Sequence, residues 1–241
     1  MSEHSIRIHK KLGETPLEAL NRLRFDIPEY ADLPMTYAGR LDPMAEGELL
    51  VLIGEECKKK DEYLGMDKEY EFEMLFGFKT DTYDLLGICS VISVDQKEVT
   101  EKIEKELLDL KGKKVQKYPP FSSKTINGVP LFQKTKNGED FDLPEREVEI
   151  YSVDFLGFRE VKGLELLEEI KRRINLVTGD FRQKEIIEKW EESFKNREEE
   201  VFLIAKSKTV CSSGTYIRGL VDSLSFPATT FSINRTGVFK R

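Results

Sequence analysis

The run Tyr37-Ala38-Gly39-Arg40-Leu41-Asp42-Pro43-Met44-Ala45-Glu46-Gly47 decides how the rest of the chain is read. It places one carboxylate, Asp42, between a Gly-Arg-Leu step and a proline, and an apolar run from Leu49 to Ile53 follows at once. Glycines at 39 and 47 permit backbone conformations closed to other residues. Pro43 fixes its own φ and biases Asp42 away from helix. The spacing predicts a rigid loop that aims one acid and then enters a buried strand or helix, a choice that periodicity alone leaves open. Taken by themselves, Asp42 and Pro43 read first as an ordinary turn.

Composition narrows the chemistry this acid could serve. At 241 residues and 39% apolar, the chain is long enough for one large domain, or one domain with an embellishment, around a real core. No apolar run approaches the ~20 residues of a membrane helix. Met1-Ser2-Glu3-His4-Ser5 lacks an apolar leader segment, so the expectation is a soluble cytoplasmic protein. Cys57, Cys89 and Cys211 are far apart and lack metal-ligand spacing, which predicts reduced, small, buried side chains. His4 and His9 are the only histidines, both near the N-terminus. This argues against a Ser-His-Asp or Cys-His site and against a His-based zinc site. Chemistry is left to carboxylate, tyrosine, lysine, arginine, serine or threonine.

The net charge of -7 argues superficially against a nucleic-acid partner, but its distribution leaves one open. Residues 111–136 hold seven lysines and no acid, with Tyr118, Phe121 and Phe132 among them. From 201 onward six basic residues face one acid, Asp222. Such local basic surfaces suit phosphates as well as they suit plain solvation.

The remaining pattern predicts a strand over 5–11, and a helix capped by Thr15 with Pro16 at its first position, running to about Phe25. A charged helix follows over 55–64. Lys68 to Phe78 alternates as a strand, with Tyr70, Phe72, Met74 and Phe76 on one face. Thr80 to Asp84 is a polar turn, and 88–94 a strand. Thr100 is the expected cap of a helix to Leu110. The basic stretch 111–136 reads as loop and 148–158 as strand. Leu167, Ile170, Ile174 and Val177, then Ile186, Trp190 and Phe194, predict a helical hairpin over 164–196 with a solvated outer face. Strands over 201–210 and 229–239 flank a short helix that opens near Tyr216 and carries Arg218.

Several separated stretches together resemble the TruB-type family of tRNA pseudouridine synthases. Gly39 to Gly47 is similar to the family stretch whose Asp, here Asp42, is catalytic. Lys68-Glu69-Tyr70 with Gly77 resembles the strand bearing its active-site tyrosine. Thr80-Asp81-Thr82 with Asp84 and Gly87 resembles a family turn, and Pro119-Pro120-Phe121-Ser122-Ser123 with Asn127-Gly128 and Leu131 its substrate-side loop. Gly214-Thr215-Tyr216-Ile217-Arg218 is similar to the motif whose arginine pairs with the catalytic Asp. The likeness runs from about 5 to 239, apart from the hairpin. It implies an α+β fold, a mixed and mostly antiparallel sheet flanked by helices, with an RNA-binding cleft. Residues 1–241 are then expected to form a single catalytic domain with the hairpin inserted, and to leave no room for the C-terminal PUA domain common in the family.

The resemblance also implies roles. Asp42, Tyr70 and Arg218 are the expected catalytic residues. Tyr37, Arg40, Asp81, Lys117 and Phe121 are expected to bind substrate, as are Ser122, Lys124, Tyr216 and Arg235. Tyr37 stands where the family has a histidine that wedges into the RNA. Arg40 stands where it has a small residue, which is also similar to rRNA-directed synthases. Thr125 takes the place of a loop lysine, with Lys124 beside it. The implied reaction isomerises a tRNA T-loop uridine, position 55, to pseudouridine, with an rRNA-directed synthase or a non-catalytic RNA-binding or RNA-folding protein as alternatives. It needs no cofactor and no metal; the partner is tRNA through its T-arm, with no membrane and no protein partner evident. A carboxylate in an apolar pocket tends to take up a proton, whereas a cation beside it favours the charged form. Arg218 is the expected cation, because a guanidinium stays charged and can grip a carboxylate with two donors.

Overall fold

Apolar–polar alternation is the strongest local signal in this chain, and nearly everywhere it occurs the backbone is extended. The computed structural model describes residues 5–240. Met1–His4 and Arg241, and with them the reading of the N-terminus as leaderless, lie outside the described residues. The chain opens with β1 (Ser5–Lys10), α1 (Pro16–Asp26), β2 (Met35–Ala38), β3 (Ala45–Ile53), α2 (Lys60–Leu64) and β4 (Asp67–Phe76). The middle comprises β5 (Phe78–Thr80), β6 (Cys89–Val91), α3 (Gln96–Leu108), β7 (Gly112–Lys117), β8 (Thr125–Ile126), β9 (Val129–Pro130) and α4 (Leu131–Lys136). It closes with β10 (Glu145–Lys162), α5 (Gly163–Asn175), α6 (Gln183–Phe194), β11 (Val201–Cys211), α7 (Ile217–Asp222) and β12 (Ala228–Phe239).

Among the described residues eight strands form the main sheet, in the order β1-β3-β12-β4-β11-β10-β7, with β2 also paired to β3. Every pairing is antiparallel except β3 with β12, which run parallel over Ala45–Gly47. The last strand therefore lies in the middle of the sheet, between β3 and β4. On one face, Tyr70, Phe72, Met74 and Phe76 of β4 pack with Val99, Ile103 and Leu107 of α3 and with Ile217 and Leu220 of α7. Each such side chain contributes about 1.5–3 kcal/mol on burial. The other face, including Leu75, Phe202, Ile204 and Phe231, is covered by the α5–α6 hairpin through Ile170, Ile186, Trp190 and Phe194. Glu165, Glu168, Arg172, Glu185 and Glu188 stay exposed on the hairpin's outer side, whereas Arg173 lies over the Phe231 ring at 4.9 Å and Arg182 pairs with Asp81 at 2.9 Å.

Several local expectations need correction. Thr100 is not a cap. Asp95 caps α3, its carboxylate accepting from Lys97 N (2.9 Å) and Glu98 N (3.4 Å), while Thr100 sits inside the helix and donates back to Lys97 O. Val99 shares the buried face of Ile103, so the amphipathic pattern starts a turn earlier than the Ile103–Leu107–Leu110 spacing suggests. The basic stretch is not all loop: residues 112–117 form the edge strand β7, paired to β10. Its buried side chain is the polar Gln116 while Val115 is exposed, so no apolar alternation marks it, and its exposed lysines protect an edge from unwanted pairing. Residues 54–59 form a 3-10 turn before the short α2, and the strand expected over 88–94 is only Cys89–Val91. Cys89 and Cys211 are buried, and Cys57 is half-buried. Among the described residues no helix is long and apolar enough to cross a membrane.

Candidate active site

Asp42 lies in the bend from β2 to β3, where Ala45 N donates to Asp42 O at 3.0 Å. Two glycines explain how remote segments reach it. Gly47 has φ +110°, and a Cβ there would stand 2.3 Å from Arg235 O, so glycine is what admits β12 alongside β3. Arg235 then donates from Nε to Glu48 O (2.6 Å) and from both terminal nitrogens to Gly39 O (3.3 Å), tying the Asp42 loop to β12. Gly214 has φ +80°, and a Cβ there would strike the Arg146 guanidinium at 1.7 Å. Just beyond it, buried Gln116 of β7 accepts from Tyr216 N and donates to Tyr216 O, both at 2.9 Å, which fixes the start of α7.

Arg218, in the first turn of α7, meets Asp42. Two guanidinium nitrogens converge on Asp42 Oδ2, Nη2 at 2.7 Å and Nε at 2.9 Å. The arginine side chain is 3% exposed and the aspartate 28%, so the cation is locked in protein while the acid stays reachable. Arg218 also donates to the carbonyls of Thr82 and, at 3.2 Å, Phe121. Asp84 Oδ2 lies 3.5 Å from its Nε. Burial opposes the Arg218 charge, but Asp42 and Asp84 more than offset it and push its pKa above the ordinary arginine value. Asp84 shows the reverse balance: burial pushes its pKa up, against the pull of Arg218.

A cavity of about 500 Å³ opens over this pair, with Tyr70, Tyr216, Ile217 and Ile233 as its largely apolar walls. Arg40, Lys68, Lys124, Arg146 and Arg235 also line it, so one carboxylate faces a ring of cations. Burial raises the Tyr70 pKa, and pushes that of Tyr216 up to about 12. Both phenols are therefore protonated at neutral pH. Burial, with Arg235 nearby, pulls Lys68 down to about 8. The Nε of Arg146 is buried with no hydrogen-bond partner among the described residues. A second cavity of about 310 Å³ shares Arg40, Leu41, Asp42, Ser123 and Arg218 with the first, and is lined further by Phe121, Ser122 and Arg182.

Nine of the twelve residues singled out from sequence thus line one cavity or both: Asp42, Tyr70 and Arg218, with Arg40, Phe121, Ser122, Lys124, Tyr216 and Arg235. Three do not. Tyr37 stands on β2, its hydroxyl accepting from Arg40 (3.1 Å) and its ring 5.4 Å from Lys60. Lys117 is exposed on β7. Asp81 accepts from Ile88 N (2.8 Å) and pairs with Arg182 (2.9 Å), so its carboxylate is engaged within the protein. Asp84 and Lys68 stood inside quoted motifs without being singled out. Arg146, Gln116 and Arg182 had no local signal, because their roles come from packing across the sheet or from the hairpin.

A family model described as "TruB family pseudouridylate synthase (N terminal domain)" matches residues 34–180. The chain belongs to the TruB family. Among relatives of this TruB-family chain, the "tRNA pseudouridine synthase B" of Borrelia garinii subsp. bavariensis is 33% identical over 159 residues, 66% of this chain and 55% of that protein. That of Aquifex aeolicus is 30% identical over 168 residues, 69% of this chain and 57% of that one. That of Treponema denticola is 31% identical over 196 residues, covering 80% and 48%. The chain spans about half the length of the curated relatives it matches. The solved "Crystal Structure of a Cbf5-Nop10-Gar1 Complex" aligns over 98% of this chain and 50% of that one, with a TM-score of 0.55 at 16% identity. That likeness bears out the α+β fold with its mostly antiparallel sheet.

Proposed function

We propose that this chain is a tRNA pseudouridine synthase that isomerises the T-loop uridine at position 55 of cytoplasmic tRNA. The observation that carries the reading is the Asp42–Arg218 pair, a reachable carboxylate clamped by a buried guanidinium beneath a cavity walled by Tyr70. The names of its relatives favour tRNA over other RNA. The reaction breaks the bond from uracil N1 to ribose C1′, turns the base and rejoins it through C5. N1 gains a proton and C5 loses one, so no redox partner is called for.

The target base must first leave its stack, at a cost of a few kcal/mol. Stacking on Tyr70 returns ~1–3 kcal/mol of this. Asp42 then acts on the sugar, as nucleophile at C1′ or as base at C2′. Arg218 keeps its carboxylate aimed along either route. The phosphates beside the flipped nucleotide meet Lys124, Arg146 and Arg40, contacts that position RNA without reading its sequence. The α5–α6 hairpin is an insertion in the catalytic unit, and recognition rests on the folded T-arm.

The test is to incubate the protein with unmodified total RNA and map new pseudouridines. Wild type should modify position 55 of tRNA, and a minimal T-arm stem-loop nearly as well. Asp42→Asn should abolish isomerisation yet bind the stem-loop with nearly unchanged affinity. Pseudouridine appearing only in rRNA, or an Asp42→Asn variant that still turns over, would overturn the reading.

A further inference from the structure

We propose that Arg182, at the turn of the α5–α6 hairpin, is a positioning residue for Arg218. The proposal rests on reading Asp42 and Arg218 as the reacting pair. Arg182 lies just beyond the residues matched by the family model, and no motif of the family resemblance includes it.

Arg218 is oriented by two backbone carbonyls, Thr82 O and Phe121 O. Both belong to loops, and Arg182 touches both loops at once. Its Nη2 pairs with Asp81 Oδ2 at 2.9 Å, one residue before Thr82. Its guanidinium lies 4.8 Å from the centroid of the Phe121 ring, on the very residue whose carbonyl Arg218 uses. Asp81 in turn accepts from Ile88 N, closing the turn that contains Thr82. One side chain of the hairpin thus braces the two acceptors of the arginine that grips Asp42.

The hairpin turn is built to hold that side chain in place. Gln183 donates to Val177 O (3.0 Å) and Gly179 O (2.7 Å) and accepts from Phe181 N (2.8 Å), stitching the turn from within. Trp190 Nε1 donates to Leu85 O at 3.1 Å, anchoring α6 on the same loop that carries Asp81 and Thr82. Arg182 itself has φ 64° and ψ 26°, a left-handed conformation that glycine takes freely and arginine does not. A turn needing only its backbone shape would favour glycine. An arginine there points to a use for the side chain.

The backbone strain supplies the test. Arg182→Gly relieves the left-handed residue, so the melting temperature should change little, while the brace is lost. With a T-arm stem-loop under single-turnover conditions, the rate at saturating enzyme should fall ~10- to 100-fold, the range expected when a catalytic group is misplaced. The Kd should stay within about twofold. Arg182→Lys keeps the charge facing Asp81 but not the planar stacking on Phe121, and should recover part of the rate. An unchanged saturating rate would overturn the proposal. So would a weaker Kd with a shallower salt dependence at unchanged rate, which would make Arg182 a phosphate contact. A second readout is independent of turnover: hydrogen exchange at Arg218 Nε–H, followed by 15N NMR, should be ~10-fold faster in Arg182→Gly. Should wild type prove inactive on RNA, the functional reading fails and this exchange still decides the positioning role. If Arg182→Gly does not fold, Phe121→Leu removes the ring beneath the guanidinium and should give the same loss of rate and protection.

Discussion

Arg218→Ala should damage stability and turnover together, and the two losses should be separable. The guanidinium stands 2.7 Å from Asp42 and 3.5 Å from Asp84. Removing it leaves Asp84, whose side chain is only 8% exposed, without a cation. Breaking a buried pair by deleting one partner costs about 3–5 kcal/mol. Asp42, at 28% exposure, can recover hydration and adds less. At ~2–4 °C per kcal/mol for a chain of this size, the melting temperature should drop by roughly 6–20 °C. Turnover should fall by ~10²-fold or more, the usual effect of losing a preorganised electrostatic donor.

The pH dependence fixes the cause. Burial already holds the Asp84 pKa above its ordinary value, against the pull of Arg218. An acid whose folded pKa exceeds its unfolded value favours the fold below the unfolded pKa, and that advantage is lost as pH rises through the folded value. Without Arg218 the folded value rises further. The deficit of Arg218→Ala, followed by calorimetry, should therefore be large at neutral pH and shrink towards acid. Adding Asp84→Asn should recover much of the melting temperature at neutral pH and none of the turnover, since Asp42 still lacks its clamp. Equal melting temperatures for wild type and Arg218→Ala at neutral pH, or a deficit that does not change with pH, would refute the reasoning.

Tyr70→Phe keeps the aromatic face of a residue that is 7% exposed and removes only the hydroxyl. It should bind stem-loop RNA like wild type and turn over ~10²-fold more slowly, the contribution typical of a positioned proton-transfer group; full activity would confine Tyr70 to stacking. Lys124→Ala and Arg146→Ala each remove a cation from the cavity wall. Each should weaken binding and lower the slope of log K against log salt by about 1 in filter-binding titrations; an unchanged slope would place that residue outside the phosphate path.

What was legible in the sequence divides along physical lines. The strand with Tyr70, Phe72, Met74 and Phe76 was readable because these buried residues alternate with the half-buried Glu69, Glu71 and Glu73, which writes period two into the residues up to the buried Leu75. Thr15 was readable as a cap because its hydroxyl accepts from Glu18 N while Glu18 reaches back to Thr15 N, a reciprocal bond set by a spacing of three. The Asp42 and Arg218 stretches were legible as motifs, with Gly47 standing where the Arg235 backbone, and Gly214 where the Arg146 guanidinium, approaches too closely for a Cβ. Gln116 was not legible: its amide clamp on Tyr216 crosses from an edge strand to a helix start 100 residues on. Arg146 and Arg182 escaped for the same reason. Their partners are chosen by packing, and no local spacing encodes them.

The acid and its arginine stand 176 residues apart, and sheet order is what brings them together. Sequential hairpins alone would lay β12 at an edge beside β11. Instead it enters between β3 and β4, making the main sheet's one parallel strand pairing among the described residues where Gly47 permits it. That position puts Arg235 opposite Tyr70 in the register and under Gly39 of the Asp42 loop. It also leaves α7, which directly precedes β12, packed with Ile217 and Leu220 in the core shared with Tyr70 and Leu41. The loop carrying the acid, the strand carrying the aromatic and the helix carrying the cation therefore share one dependency, the seating of the last strand. A defect in β12 removes the loop anchor and the footing of α7 in one step. Activity should thus be lost as a unit with that strand rather than residue by residue.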